Sequence, residues 1–351
     1  MPTPTIPDGE LFMNATLYTG NGTAGRVITV PSINNVGFAW VKLRSGSDDH
    51  RLANTVTGGN KHLKSNAPDQ ESTGTNVIQA FSSNTFTVGS DNSVNLNNST
   101  YVGWTWANGG AAVTNTAGTI SSQVSANTTS GFSVVTYTGN ATNGATVGHG
   151  CQVGGVPTAP RMILVKNRST STLWSVYHAS VGAASVAHLN DTAGFSASGD
   201  WNSVTPTPTV FTIGTSNRVN NADNYVAYCW APVAGYSAFG SYTGNGSTTN
   251  DGPFVYLGFR PKFIMGKRTD STGGWWMFDT SINSFNLADN YLYAQSPDPE
   301  QENISSLNID ILSNGFKVRS GTAPSTWINA SGGTYMYMAF AENPFKYANA
   351  R

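Results

Sequence analysis

An all-β chain of three tandem β-sandwich domains is what this sequence predicts, and two observations carry the prediction. One is a composition suited to short strands and turns; the other is a set of four sequence boxes that recur three times in the same order. Of 351 residues, 11% are charged and 11% aromatic, and Gly, Ser, Thr and Asn fill most polar positions, the make-up of short strands joined by many turns. A helical protein needs runs of Ala, Leu, Glu and Lys at 3.6 periodicity, and the longest candidate, Val181 to His188, is broken by small and β-branched residues. The length also exceeds one comfortable core, so two or three domains are expected.

The first box is Tyr-Thr-Gly-Asn, at Tyr18–Asn21, Tyr137–Asn140 and Tyr242–Asn245. The second is an apolar strand ending in a base: Phe38 to Lys42, Met162 to Lys166 and Phe263 to Lys267, each followed by an arginine, Arg44, Arg168 and Arg268. The third begins at Phe86, Phe211 and Phe316, which lie 44, 45 and 49 residues after the respective lysine. The fourth opens with Val94-Asn95, Val219-Asn220 and Ile328-Asn329 and continues into strands from Tyr101 to Trp106, Tyr225 to Trp230 and Tyr335 to Phe340. Repetition of order and spacing together marks tandem copies of one unit.

In that last strand, Val102, Trp104 and Trp106 share one face, as do Val226, Tyr228 and Trp230, and Met336, Met338 and Phe340. The opposite face is mostly small: Gly103, Thr105 and Ala107, with Ala227, Cys229 and Ala231 matching them. The pattern predicts a central strand whose bulky side fills a sandwich core while its small side packs closely on something else. Many short strands in each copy suit a β-sandwich, jelly-roll topologies included, with strand order left open. The boxes set domains at 1–114, 115–233 and 234–351, joined by short linkers around 108–112 and 232–235 that bring the domains into contact as a rod or cluster.

Formal net charge is −1 without a basic stripe, so nothing steers the protein towards nucleic acid or an anionic membrane. No 18 apolar residues run together, and the N-terminus lacks the charged and apolar regions of a signal peptide, which predicts assembly in a cytoplasm. Cys151 and Cys229 read as small buried thiols.

Candidate chemistry is sparse. None of the five histidines, His50, His62, His149, His178 and His188, lies in a hydrolase or metalloprotease motif. His149 and Cys151 could give a metal two ligands, but no second pair follows at zinc-ligand spacing. Asp298, Glu300 and Glu302 form an acidic cluster in a proline-interrupted stretch read as a solvated loop, with calcium binding as the minor alternative. The repeated Lys-x-Arg reads as an architectural salt bridge or strand terminator. Catalytic, cofactor and metal residues are therefore expected to be none, and the protein is expected not to be an enzyme.

The apolar strand ending Lys-x-Arg, then Phe86-Thr-Val-Gly89 and Phe211-Thr-Ile-Gly214, then Val-Asn and Tyr101-Val-Gly-Trp104 or Tyr225-Val-Ala-Tyr228, resembles an uncharacterised repeat domain of cyanophages and other marine tailed phages. Arg260 to Arg268 with Gly273 to Asp279 is similar to it as well. The resemblance implies a virion surface structural protein, tail-fibre-like or tail-associated, that contributes to host-surface adhesion. Its implied partners are other virion proteins, further copies of itself and a host surface glycan. A capsid head-decoration or knob protein is the alternative, favoured by the lack of a heptad shaft; a carbohydrate-active enzyme is the remote one.

One residue stands out as an interface candidate. Aligning His50 to Asn54, Trp174 to His178 and Trp275 to Asp279 puts Leu52, Val176 and Met277 on the core face. Trp276, one residue earlier, is then expected on the outer face of its strand, available to another subunit, another domain or a glycan ring.

Overall fold

The computed structural model describes residues 6–319 and 325–344, and its regular structure is almost entirely antiparallel strand, with helices of no more than four residues. Every strand pairing falls within one of three successive stretches of chain, here called units. Each unit has a large sheet containing the same four strands in the same order. A lead strand (Met13–Thr19, Phe132–Thr138, Ser237–Thr243) pairs with the central strand (Thr100–Ala107, Asn224–Trp230, Thr334–Pro344). The central strand pairs with a lysine strand (Val36–Leu43, Met162–Asn167, Phe259–Arg268), and that with a fourth strand (Arg51–Asn54, Ser175–His178, Trp276–Asp279). A small sheet covers one face, built on Arg26–Thr29 with Thr85–Val88, Ala145–Gly148 with Val210–Ile213, and Phe254–Tyr256 with Gly315–Val318. Val113–Asn115 pairs with Ser122–Ala126, so the second sheet begins at Val113.

The first and fourth boxes form a single lock. Tyr18, Tyr137 and Tyr242 stack on Tyr101, Tyr225 and Tyr335, with ring centroids 5.0, 5.1 and 4.9 Å apart. Their hydroxyls donate to the carbonyls of Val94, Val219 and Ile328. The backbone N–H groups of Asn21, Asn140 and Asn245 donate to the buried amides of Asn95, Asn220 and Asn329. Between them the chain must pass close: a Cβ on Gly20, Gly139 or Gly244 would lie 2.0–2.3 Å from a backbone oxygen. The tetrapeptide is thus held by a ring stack, a carbonyl cap and an asparagine that satisfies buried backbone groups.

The two faces of the central strand are used in the opposite sense to the expectation. Its small face looks into the unit's own sandwich: Val41, Ala39, Phe86 and Val88 form one such core, and Val165, Ile163, Phe211 and Cys229 another. Its bulky face looks outward onto the other two units. Trp104, Trp106, Tyr228, Trp230, Met338 and Phe340 belong to one continuous core shared by all three. Trp106 meets Trp230 at 5.9 Å and Phe340 at 5.6 Å, and Phe38 stacks on Tyr228 at 4.3 Å. The units form a cluster around a common aromatic centre.

The same two-sided burial corrects the expectation for Trp276. Met277 does face the shared core, and Trp276 does point the other way, but that way lies the third unit's own sandwich and not solvent. The ring is fully buried, leans on Phe278 at 5.9 Å and donates its N–H to the Trp327 carbonyl. It fits because its cross-strand partner is Gly266, whose Cβ, if present, would stand 2.0 Å from Trp276 Cζ2. The equivalent pairs are Val41 with Arg51 and Val165 with Ser175. A large residue on one strand is matched by a missing side chain on the next.

Trp276→Ser is expected to cost about 3–5 kcal/mol in urea unfolding, and Gly266→Val about 1–3 kcal/mol or more. The double variant recreates the pair of the second unit and should be less destabilised than the sum by about 1–3 kcal/mol. Strict additivity would show that the two positions do not share one volume.

Candidate functional site

The polar side chains of this protein gather at the seams between units, and they do so in a cyclic pattern set by the fourth strand. Alternate residues of that strand and its entry point face the shared core. At the first of these positions, each unit reaches its predecessor: the His50 Nε2–H donates to the carbonyls of Tyr293 and Ser296 at 3.0 and 3.2 Å. The Trp174 indole N–H donates to Lys64 O at 2.8 Å, and the Trp275 indole N–H to His188 O at 3.0 Å. At the last position each unit reaches its successor. Asn54 donates to the Tyr228 hydroxyl at 3.1 Å, His178 to the Tyr337 carbonyl at 3.1 Å, and Asp279 accepts from the Trp104 N–H at 2.9 Å. Asn54 and Asp279 occupy equivalent places in two of the seams.

The arginine after each lysine strand extends the pattern. Arg168 holds Glu71 through two bonds of 2.7 and 2.8 Å, and Arg44 holds Glu300 in the same two-pronged manner. The backbone N–H groups of Glu71 and Glu300 also donate to the carbonyls of Arg168 and Arg44. At the third seam Phe195 N–H donates to Thr269 O, while Arg268 turns to Asp270 of its own unit. The expected architectural salt bridge is therefore one between units for Arg44 and Arg168 and one within the unit for Arg268. Of the acidic cluster expected in a solvated loop, Asp298 and Glu302 are exposed, and Glu300 departs from the expectation with a side chain only 2% exposed.

Lys42, Lys166 and Lys267 are fully buried at the same register, opposite Val102, Val226 and Met336. Their ammonium groups donate to main-chain carbonyls: Leu43 for the first, Asn167 for the second, Gly273 and Thr192 for the third. Burial lowers each from 10.5 to about 8, opposed by Asp48 and Asp298 at Lys42, by Asp69 at Lys166 and by Asp191 at Lys267. Asp298, Asp69 and Asp191 each belong to the neighbouring unit. Burial also lowers His50 to about 3, with Lys42 adding to the effect, and lowers His178 to about 4. Both rings are neutral by geometry, since His50 Nδ1 accepts from the Trp40 N–H at 2.8 Å and His178 Nδ1 accepts from Ser180 N–H.

The remaining candidates sit apart from the seams. His149 is buried, with Nδ1 accepting from Cys151 N–H and Nε2 bonded to Thr207 O. Cys151 and Cys229 are buried free thiols of the second unit's own core. Among the described residues no three His, Cys, Asp or Glu side chains stand together as a metal cluster, and no helix is long and apolar enough to cross a membrane. Sequence reasoning found the arginines and lysines by their repetition. It missed Glu71 and Glu300 as their partners, because those carboxylates share no box and lie on loops of different length.

The fold and its seams define an all-β protein whose three like units close on one another around a shared core. The chain belongs to a family described as a domain of unknown function (DUF7483), which matches residues 8–344 and so spans all three units. No curated protein and no solved structure matches the chain.

Two outcomes test the seams. Arg44→Ala should cost about 3–5 kcal/mol, because it strands the buried Glu300 carboxylate. Arg268→Ala, whose partner is 40% exposed, should cost under about 1 kcal/mol. Stability should also climb with pH in two steps. Between about pH 4 and 6.5 the unfolded chain protonates His50 and His178 while the native chain does not. Between about pH 8 and 10 the native chain releases the protons of the three lysines while the unfolded chain keeps them. In both windows the unfolded state binds more protons, so raising the pH favours the native state. Urea midpoints across pH 4–10 measure this, and Lys→Met at positions 166 and 267 should flatten the upper step alone.

Proposed function

We propose that this protein is a non-catalytic structural component of a virion surface, tail-fibre-like or tail-associated, that takes part in adhesion to the host. The observation that carries the reading is where its reactive side chains are used. Histidines, arginines, carboxylates and Lys267 at the seams clasp one unit to the next, engaged by carbonyls, indoles or each other. Such investment in closure suits a part that must keep its shape under load. The resemblance of the boxes to domains of marine tailed phages supplies the biological setting. Its partners are then other virion proteins, further copies of itself and a host surface glycan, with neither nucleic acid nor membrane among them.

The seat of a head-decoration or knob protein is the second reading. It is favoured by the closure of three units on one shared core, an arrangement that suits a knob better than a shaft. A carbohydrate-active enzyme would need two facing carboxylates, and Glu300 of the acidic cluster is already held by Arg44.

Gold-labelled antibody on purified particles, viewed by electron microscopy, separates these readings. Label on the tail supports the first and label on the head the second. Protein present in the infected-cell lysate but absent from particles would remove both. Release of reducing ends from host envelope glycans by the purified protein would overturn the non-catalytic assignment.

A further inference from the structure

The three units agree in what they bury and differ in what they show. Ile28, Val147 and Val255 occupy one equivalent place, each opposite the phenylalanine of the third box: Phe86, Phe211 and Phe316. The residues on either side of them point away from the core. In the first unit these are Val27 and Thr29, in the second Thr146 and Gly148, and in the third Phe254 and Tyr256. Phe254 is 48% exposed and Tyr256 64%. Apart from Phe285, they are the only aromatic rings among the exposed large apolar side chains of the described residues. An exposed aromatic pair in one copy only, where its equivalents Val27, Thr29, Thr146 and Gly148 carry no ring, has no role in the packing common to all three.

We infer that the outer face of the third unit's small sheet, centred on Phe254 and Tyr256, binds a neutral glycan chain. The rings alternate on one strand about 7 Å apart, which lets successive pyranose rings lay their C–H faces on them while the hydroxyls stay in water. The charges beside them decide the class of ligand. Lys317, opposite Phe254, is paired with Asp251 at 2.6 Å, and Arg319 with Asp310 at 2.9 Å. Both cations are thus matched by anions, and the face has no surplus charge to attract an acidic polymer. The paired side chains present donors and acceptors together, which suits hydroxyl groups that are both. This rests on the adhesive part of the proposed function, and it is testable on the purified protein without reference to where the protein sits in a particle.

Maltohexaose, cellohexaose and N-acetylchitohexaose are titrated into the full chain, with binding followed by NMR line broadening and calorimetry. At least one of the three should bind, and Phe254→Ala/Tyr256→Ala should weaken it tenfold or more with an unchanged melting temperature. Val27→Ala/Thr29→Ala, at the equivalent place in the first unit, should leave binding as it was. The inference is overturned by binding of none of the three, by binding that survives loss of both rings, or by equal binding of polygalacturonate. It is also overturned if sedimentation shows that the rings serve self-association, with a dimer that the double variant abolishes. None of these results bears on whether antibody finds the protein on the tail or the head.

Discussion

Three central strands turn their widest side chains towards one another, and most of the structure follows from having to bury them. A single unit with Trp104 and Trp106 on one sheet face would leave that face in water, and its own small sheet already covers the other. Each fully buried side chain of this size contributes on the order of 2–3 kcal/mol, so the shared core is worth far more to the molecule than any seam hydrogen bond. The units are consequently not beads on a string. Each supplies a wall to a core that none can close alone, in the manner of repeats that need neighbours.

Closure has a cost in topology. Short linkers join the first unit to the second and the second to the third, but nothing covalent joins the third to the first. That seam is held by a varied set of polar contacts: Glu10 with Lys262, Ser281 with the Ala15 carbonyl, Ser65 with the Ala294 carbonyl, Arg44 with Glu300, and His50 with Tyr293. Hydrogen bonds and ion pairs there are directional, and they select one docking geometry where apolar contact alone would tolerate several. Buried lysines and neutral histidines at the seams tie that geometry to pH, because each can change charge only by changing what its neighbours must accommodate.

Trp276 and Glu300 show where reading the sequence stopped. Alternation along the fourth strand correctly separated Met277 from Trp276, since side-chain direction in a strand follows from local geometry. What the alternation could not state was the environment on the far side. A strand with one core face and one wet face has the same period as a strand with two core faces, and only the covering small sheet and Gly266 on the adjacent strand distinguish them. Glu300 illustrates the same limit at long range. Its partner Arg44 lies 256 residues away, and no spacing rule within one copy points to a carboxylate contributed by another.

The sequence by itself determined the all-β class, the recurrence of the boxes, the register of faces within each strand and the marking of particular lysines and arginines by repetition. Those properties arise from residue type and from neighbours a few positions away, where backbone geometry leaves little freedom. Only the tertiary structure decided that the bulky faces meet between units, that Trp276 is interior, that Glu71 and Glu300 clasp the arginines and that Phe254 and Tyr256 remain in water. Each of these depends on which surfaces come together from separate segments of the chain, and burial is a property of the assembled contact and not of the segment that enters it.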